Sequence, residues 1–198
     1  MIAWCLKVAY SHLRRQDKDL AERRAALEEA IVLARKTGDP FLLCQAMSGM
    51  GNVFGWIGEL EEAEPWYLEA LRIAREIGDT WSILDAINCL GDGHLGLRNT
   101  VKAKELFTEG LRLAADLGAR GYLAWFVGGL YGVAKQEGRL KHAARLGAIS
   151  ESIANPGVLC SPDFAGELGL DDEVAAAEWK REQSLALEER IAYALSDE

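Results

Sequence analysis

Residues 65–80 read PWYLEALRIAREIGDT, and the same phrase occurs twice more in the chain. AALEEAIVLARKTGDP begins at Ala25 and ELFTEGLRLAADLGAR at Glu105, so the three segments align without a gap at a spacing of 40 residues. Ala63, Ala103 and Ala143 keep that spacing, as do Gly38, Gly78 and Gly118. Met50, Leu90 and Leu130 do the same, and so do Ile31, Leu71 and Leu111. A fixed period of this length is the mark of a repeat architecture.

Each unit reads as two helices. In 60–77, Leu60, Ala63, Tyr67, Ala70, Leu71 and Ala74 recur at spacings of three and four and form one apolar face. Glu61, Glu62, Glu69, Arg72, Arg75 and Glu76 fill much of the rest. Gly78 supplies a left-handed residue that ends this helix, and Asp79 can cap the next. Gly38-Asp39-Pro40 repeats the device with a proline at the first helical position. Gly118 keeps the stop, whereas Ala119 lacks a capping side chain. Pro65 falls inside the second helix and predicts a late start or a kink.

The first helix of each unit is expected over about 41–56, 81–96 and 121–136. These segments hold Gly49, Gly51, Gly91, Gly93, Gly128, Gly129 and Gly132. A glycine inside a helix costs about 1 kcal/mol relative to alanine, so their recurrence predicts close helix packing. Residues 2–16 read as the first helix of a short opening unit, and 140–154 as the last second helix. One such pair cannot bury its apolar face alone. Stacked pairs bury it and wind into a superhelix with a concave groove. The fold expected is therefore all-α, an α-α superhelix over residues 1–155. Residues 156–173 break the pattern. A capping helix over about 173–195, with a break near Leu185, is expected to seal the array against Ala144, Leu146 and Ile149, with Trp179 as its main anchor.

The chain has 198 residues and a net charge of −9. Residues 1–156 hold 19 Lys and Arg against 20 Asp and Glu, whereas residues 157–198 hold 3 against 11. The acidity belongs to the C-terminal segment, and no run of Lys and Arg is dense enough to follow a phosphate backbone, which disfavours direct nucleic-acid binding. No run of 18 apolar residues is present, which disfavours a membrane span. MIAWCLKVAYSHLRR places its charges after the apolar stretch, unlike a secretory signal. Cys5, Cys44, Cys89 and Cys160 form no CxxC pair and read as reduced apolar fillers. A reducing, cytoplasmic location is expected.

The units resemble tetratricopeptide repeats. Met50-Gly51 and Leu90-Gly91 occupy the place of that family's Leu-Gly pair, and Ala70-Leu71 that of its small-then-leucine pair. The early aromatic of the first helix is missing, and 40 residues exceed the usual 34. The longer unit, with EALRIAREIGD, GRLKHAARLGAISESI and EWKREQSLALEERIAYAL, resembles the C-terminal arrays of large bacterial LuxR-type and SARP-like transcriptional regulators with an ATPase module. That resemblance implies a non-catalytic interaction or scaffold module, either part of a larger regulator or a stand-alone relative. Its partner would be a protein or peptide, including ATPase and DNA-binding domains of the same regulator. No GxxxxGK[ST] loop and no recognisable helix-turn-helix is found in this sequence.

No catalytic, metal or cofactor constellation stands out. His12, His94 and His142 sit in different units, and Cys89 is off the i, i+4 face of His94. Glu61, Glu62, Glu64 and Glu69 read as a solvated outer face. First-helix positions not used for packing are more promising. They are Gln45, Ser48, Asn52 and Trp56 in one unit, Asp85, Asn88 and Asp92 in the next, and Trp125, Gly128, Gly132 and Lys135 in the third. Amides, two acids and aromatics suit an extended peptide or a small polar ligand. The two tryptophans have core packing as their alternative. Three readings follow. They are a protein-interaction module, a ligand sensor whose groove takes a metabolite or peptide, and a structural homo-oligomer.

Overall fold

The computed structural model describes residues 20–154 and 185–196, and all regular structure among them is helical. The helices are α1 (Leu20–Thr37), α2 (Pro40–Ile57), α3 (Leu60–Ile77), α4 (Thr80–Gly96), α5 (Thr100–Leu117), α6 (Arg120–Gln136), α7 (Leu140–Ala154) and α8 (Leu187–Ala194). Residues 2–16, the break at 156–173 and the capping segment up to 184, Trp179 included, lie outside the described residues. Among the described residues, no helix is long and apolar enough to cross a membrane.

The connections explain the period. The backbone N–H of Asp39, Glu59, Asp79, Asn99, Ala119 and Arg139 each bonds the carbonyl five residues back, at 2.8–3.0 Å. This is the Schellman closure, in which a left-handed residue turns the chain and satisfies a carbonyl left over at the helix end. It recurs every 20 residues, half the sequence period. The left-handed residue is Gly38, Gly58, Gly78, Gly118 or Gly138, with φ between 63° and 83°, and Arg98 (φ 60°) takes that place once. The Asp39 side chain accepts from Leu42 N at 3.0 Å, the expected cap. Ala119 caps α6 without a side-chain bond, and the helix forms nonetheless.

Pro65 neither delays nor ends its helix: α3 starts at Leu60 and runs through it. The proline sits in the second turn with its ring exposed, so the loss is one hydrogen bond, to the Glu61 carbonyl.

The described contacts fall into two compact units, residues 1–93 and 94–198. In the first, α2 packs on both α1 and α3. Its core joins Leu27, Ala30 and Ile31 to Met47, Met50 and Val53 and to Ala70, Ile73 and Ala74. Each large side chain buried this way contributes about 1.5–3 kcal/mol. A Cβ at Gly49 would lie 2.6 Å from Leu27, and one at Gly51 would lie 2.5 Å from the Tyr67 ring.

In the second unit, α6 packs on both α5 and α7. Helices α5 and α6 lock reciprocally. The Phe107 ring of α5 fills the space a Cβ would take at Gly129, and the Phe126 ring of α6 does so at Gly110. Gly132 meets Leu95 in the same way. Close packing therefore accounts for Gly49, Gly51, Gly129 and Gly132. It does not account for Gly93, which has nothing within 4 Å of its Cβ position.

Helix α8 packs on α7; the greater part of the expected capping segment, with its Trp179 anchor, lies outside the described residues. Ala144, Leu146 and Ile149 are buried. Polar and ring contacts between the two helices involve His142, Arg145 and Ser152. Tyr193 Oη lies 2.7 Å from His142 Nδ1, and Arg190 donates to Ser152 Oγ at 3.0 Å.

Candidate functional site

Two polar links join α2 to α4 within the first unit. Gln45 Nε2 donates to Ser82 Oγ at 2.9 Å, and the Cys89 thiol donates weakly to Asn52 Oδ1 at 3.7 Å. Both pairs are separated by 37 residues, so the two helices run side by side in one register. The links are seven residues apart on each helix, about 10 Å. That is the length of about three residues of extended chain. Ser48, Asp85 and Asn88 lie in sequence between the links, and Asp92 follows on the α4 side.

Asn52 Oδ1 accepts the Tyr67 hydroxyl at 2.8 Å and the Cys89 thiol, which places the amide nitrogen on the other branch. That NH2 has no hydrogen-bond partner among the described residues. Asn88 is oriented the other way: its Nδ2 donates to Asp92 Oδ2 at 3.2 Å, which leaves its oxygen as the presented atom. One asparagine thus offers a donor and the other an acceptor.

The acids shape the local field. Desolvation raises the Asp92 carboxyl to about 6, against the opposing hydrogen bond from Asn88. Burial, with Asp85 and Asp92 adding their charge, pushes the Cys89 thiol up to about 12. The Tyr67 phenol is raised by burial and then by Cys89 and Asp92. Cys44 is raised mainly by burial, with Asp79 and Asp85 contributing. Each shift disfavours a further negative charge. Such thiols are poor nucleophiles.

Of the sequence-predicted residues, Gln45, Ser48, Asn52 and Asn88 are half-buried, and Asp85 and Asp92 are exposed. Trp56 and Trp125 are not core: they are 43% and 58% exposed. Trp56 lies at the end of α2 under the Arg23 guanidinium, 4.8 Å from its ring centroid. Trp125 belongs to the second unit, edge-on to Tyr122 at 5.1 Å. Lys135, exposed in the same unit, has its ammonium 5.8 Å from the Tyr131 ring. Gln45 and Asn52 of α2 thus bond to Ser82 and Cys89 of α4, and Asn88 bonds to Asp92 along α4.

Sequence reasoning missed the roles of Tyr67, Ser82 and Cys89, which bond to Asn52 and Gln45. A usable signal existed for Tyr67, since a tyrosine on a core-facing stripe needs a partner for its hydroxyl. Among the described residues, no group of three His, Cys, Asp or Glu side chains is placed to hold a metal ion. The described residues define an all-helical protein. No protein-family profile matches the chain, and a search of curated proteins returned no match.

Proposed function

We propose that the chain is a non-catalytic protein-interaction module, and that the α2–α4 face of its first unit binds an extended segment of a protein partner. One observation carries this reading: Asn52 presents an amide donor and Asn88 an acceptor on neighbouring helices held in register. An extended chain carries one N–H and one C=O per residue, and all of them need partners once bound. Side-chain amides supply both kinds. Asp85 and Asp92 favour a segment with a lysine or arginine, which gives selectivity by charge. The resemblance of the 40-residue units to tetratricopeptide arrays of bacterial regulators supports the same reading and makes the partner a component of a transcriptional regulator.

The test is selection from a displayed random-peptide library. The parent should enrich basic peptides without helical periodicity. The Asn52→Ala/Asn88→Ala variant should lose at least about tenfold in affinity for them, since each lost hydrogen bond contributes about 1 kcal/mol. Equal affinity for parent and variant would refute the reading.

A further inference from the structure

The α2–α4 face has an apolar end. Phe41 stands four residues before Gln45 on α2, and Trp81 stands four residues before Asp85 on α4, so each ring continues the stripe of its own helix. The Gln45–Ser82 bond fixes the register between the two helices. That register sets Trp81 level with Cys44, less than one turn beyond Phe41. Phe41 is 48% exposed and Trp81 57% exposed, whereas Tyr67 in the same unit is buried. Single exposed apolar side chains are ordinary on a protein surface. Two aromatic rings on adjoining turns, beside a stripe of polar groups, have the composition of an interface anchor.

The other end of the face is acidic. Asp92 lies eleven residues beyond Trp81, about 16 Å along α4. Its carboxylate takes one hydrogen bond, from Asn88 at 3.2 Å, and a carboxylate accepts several. An extended chain covers the distance between the ends in about five residues. Its side chains alternate between two faces, so residues an even number apart point the same way.

Resting on the reading of this face as a peptide site, we propose that the bound segment of the partner carries a bulky apolar residue packed against Phe41 and Trp81 and, about four or six residues away, a lysine or arginine paired with Asp92. Apolar contact needs only exposed ring area, so it breaks no bond that either residue already makes. The rings supply affinity by removing apolar surface from water, and the carboxylate supplies the charge preference. Unlike ends also fix the direction in which the segment lies.

The displayed random-peptide library separates this proposal from the reading beneath it. The parent should enrich peptides that combine a basic residue with an apolar residue about four or six positions away. Phe41→Ser/Trp81→Ser should still enrich basic peptides but lose the apolar preference. A parent that enriches basic peptides with no apolar position would overturn the proposal and leave the peptide site standing. A parent that enriches no basic peptide would overturn both. Fluorescence polarisation with one enriched peptide then measures the coupling, with circular dichroism as the check on folding. The double variant should bind about tenfold or more weakly. Serine in place of the peptide's apolar residue should weaken binding to the parent by a similar factor, and to the double variant by less than about twofold. Equal weakening of both would place that residue elsewhere and overturn the proposal. Val32→Ser, at an exposed position on α1, should change affinity less than about twofold. A loss there equal to that of the double variant would mark non-specific apolar binding and overturn it too. Self-association of the parent that disappears in the double variant would assign the rings to a second copy of this chain, against the proposal.

Discussion

The Tyr67 ring occupies the space that a side chain at Gly51 would need, while its hydroxyl donates to Asn52 at 2.8 Å. One tyrosine of α3 therefore fixes both the approach of α2 and the orientation of the amide next to that glycine. Packing and the candidate site are coupled through this residue. Tyr67→Phe keeps the ring and removes the hydroxyl. Stability should fall by about 1 kcal/mol in urea denaturation, and affinity for a selected peptide should fall with it, because Asn52 loses its main anchor. Loss of stability with unchanged affinity would separate the two roles.

Two glycines of α6 should respond oppositely to alanine. At Gly129 a Cβ would lie 2.5 Å from the buried Phe107 ring, whereas at Gly121 nothing lies within 4 Å. Gly129→Ala should destabilise by about 1–3 kcal/mol through overpacking. Gly121→Ala should stabilise by up to about 1 kcal/mol through helix propensity. Chemical denaturation of the two variants reads the difference in sign directly.

Arg98 is the exception among six equivalent turns. It holds φ 60° where the other five have glycine. Among the described residues, no side-chain interaction of Arg98 accounts for it. Arg98→Gly should relieve the left-handed strain and raise stability by about 1 kcal/mol. An unchanged or lowered melting temperature would mean that the arginine side chain stabilises more than its backbone strain costs.

The raised carboxyl of Asp92 sets a pH dependence. Its folded value of about 6 exceeds the ordinary 3.8, so the folded state holds the proton more tightly than the unfolded state does. This group favours folding most below pH 3.8, and that contribution is lost as pH rises to about 6. Asp92→Asn should therefore stabilise above pH 6, by at most about 1 kcal/mol because the residue is exposed and water screens it. The gain should vanish below about pH 4. Urea melts at pH 7.5 and pH 4 check both the sign and the window.

Much of this fold was legible in the sequence because packing and turn chemistry leave local marks. Gly38, Gly78 and Gly118 and the Ala70-Leu71 stripe are such marks, and the helix limits Leu60–Ile77 and Leu140–Ala154 agree with those read from the sequence. The late start expected from Pro65 does not occur, because a proline early in a helix removes only one bond, which neighbouring packing outweighs. The 20-residue recurrence of turns was masked by Arg98, which broke the glycine series. The site was half legible. Register placed Asn52, Asp85, Asn88 and Asp92 on exposed or half-buried positions, but no periodicity reveals which amide atom faces outward. That depends on Tyr67 and Cys89, which approach from other helices. The contact of His142 with Tyr193 was invisible for the same reason, since the two are 51 residues apart in sequence.

The central claim is that Asn52 and Asn88 present their side chains to an extended peptide. Titration of the uniformly 15N-labelled protein with a library-selected peptide, followed through the side-chain amide signals in two-dimensional NMR, tests it directly. The Asn52 and Asn88 NH2 resonances should shift saturably with the peptide, at one common affinity. Shifts confined to the outer face of α3, around Glu61 and Glu62, with both asparagine signals unmoved, would contradict it.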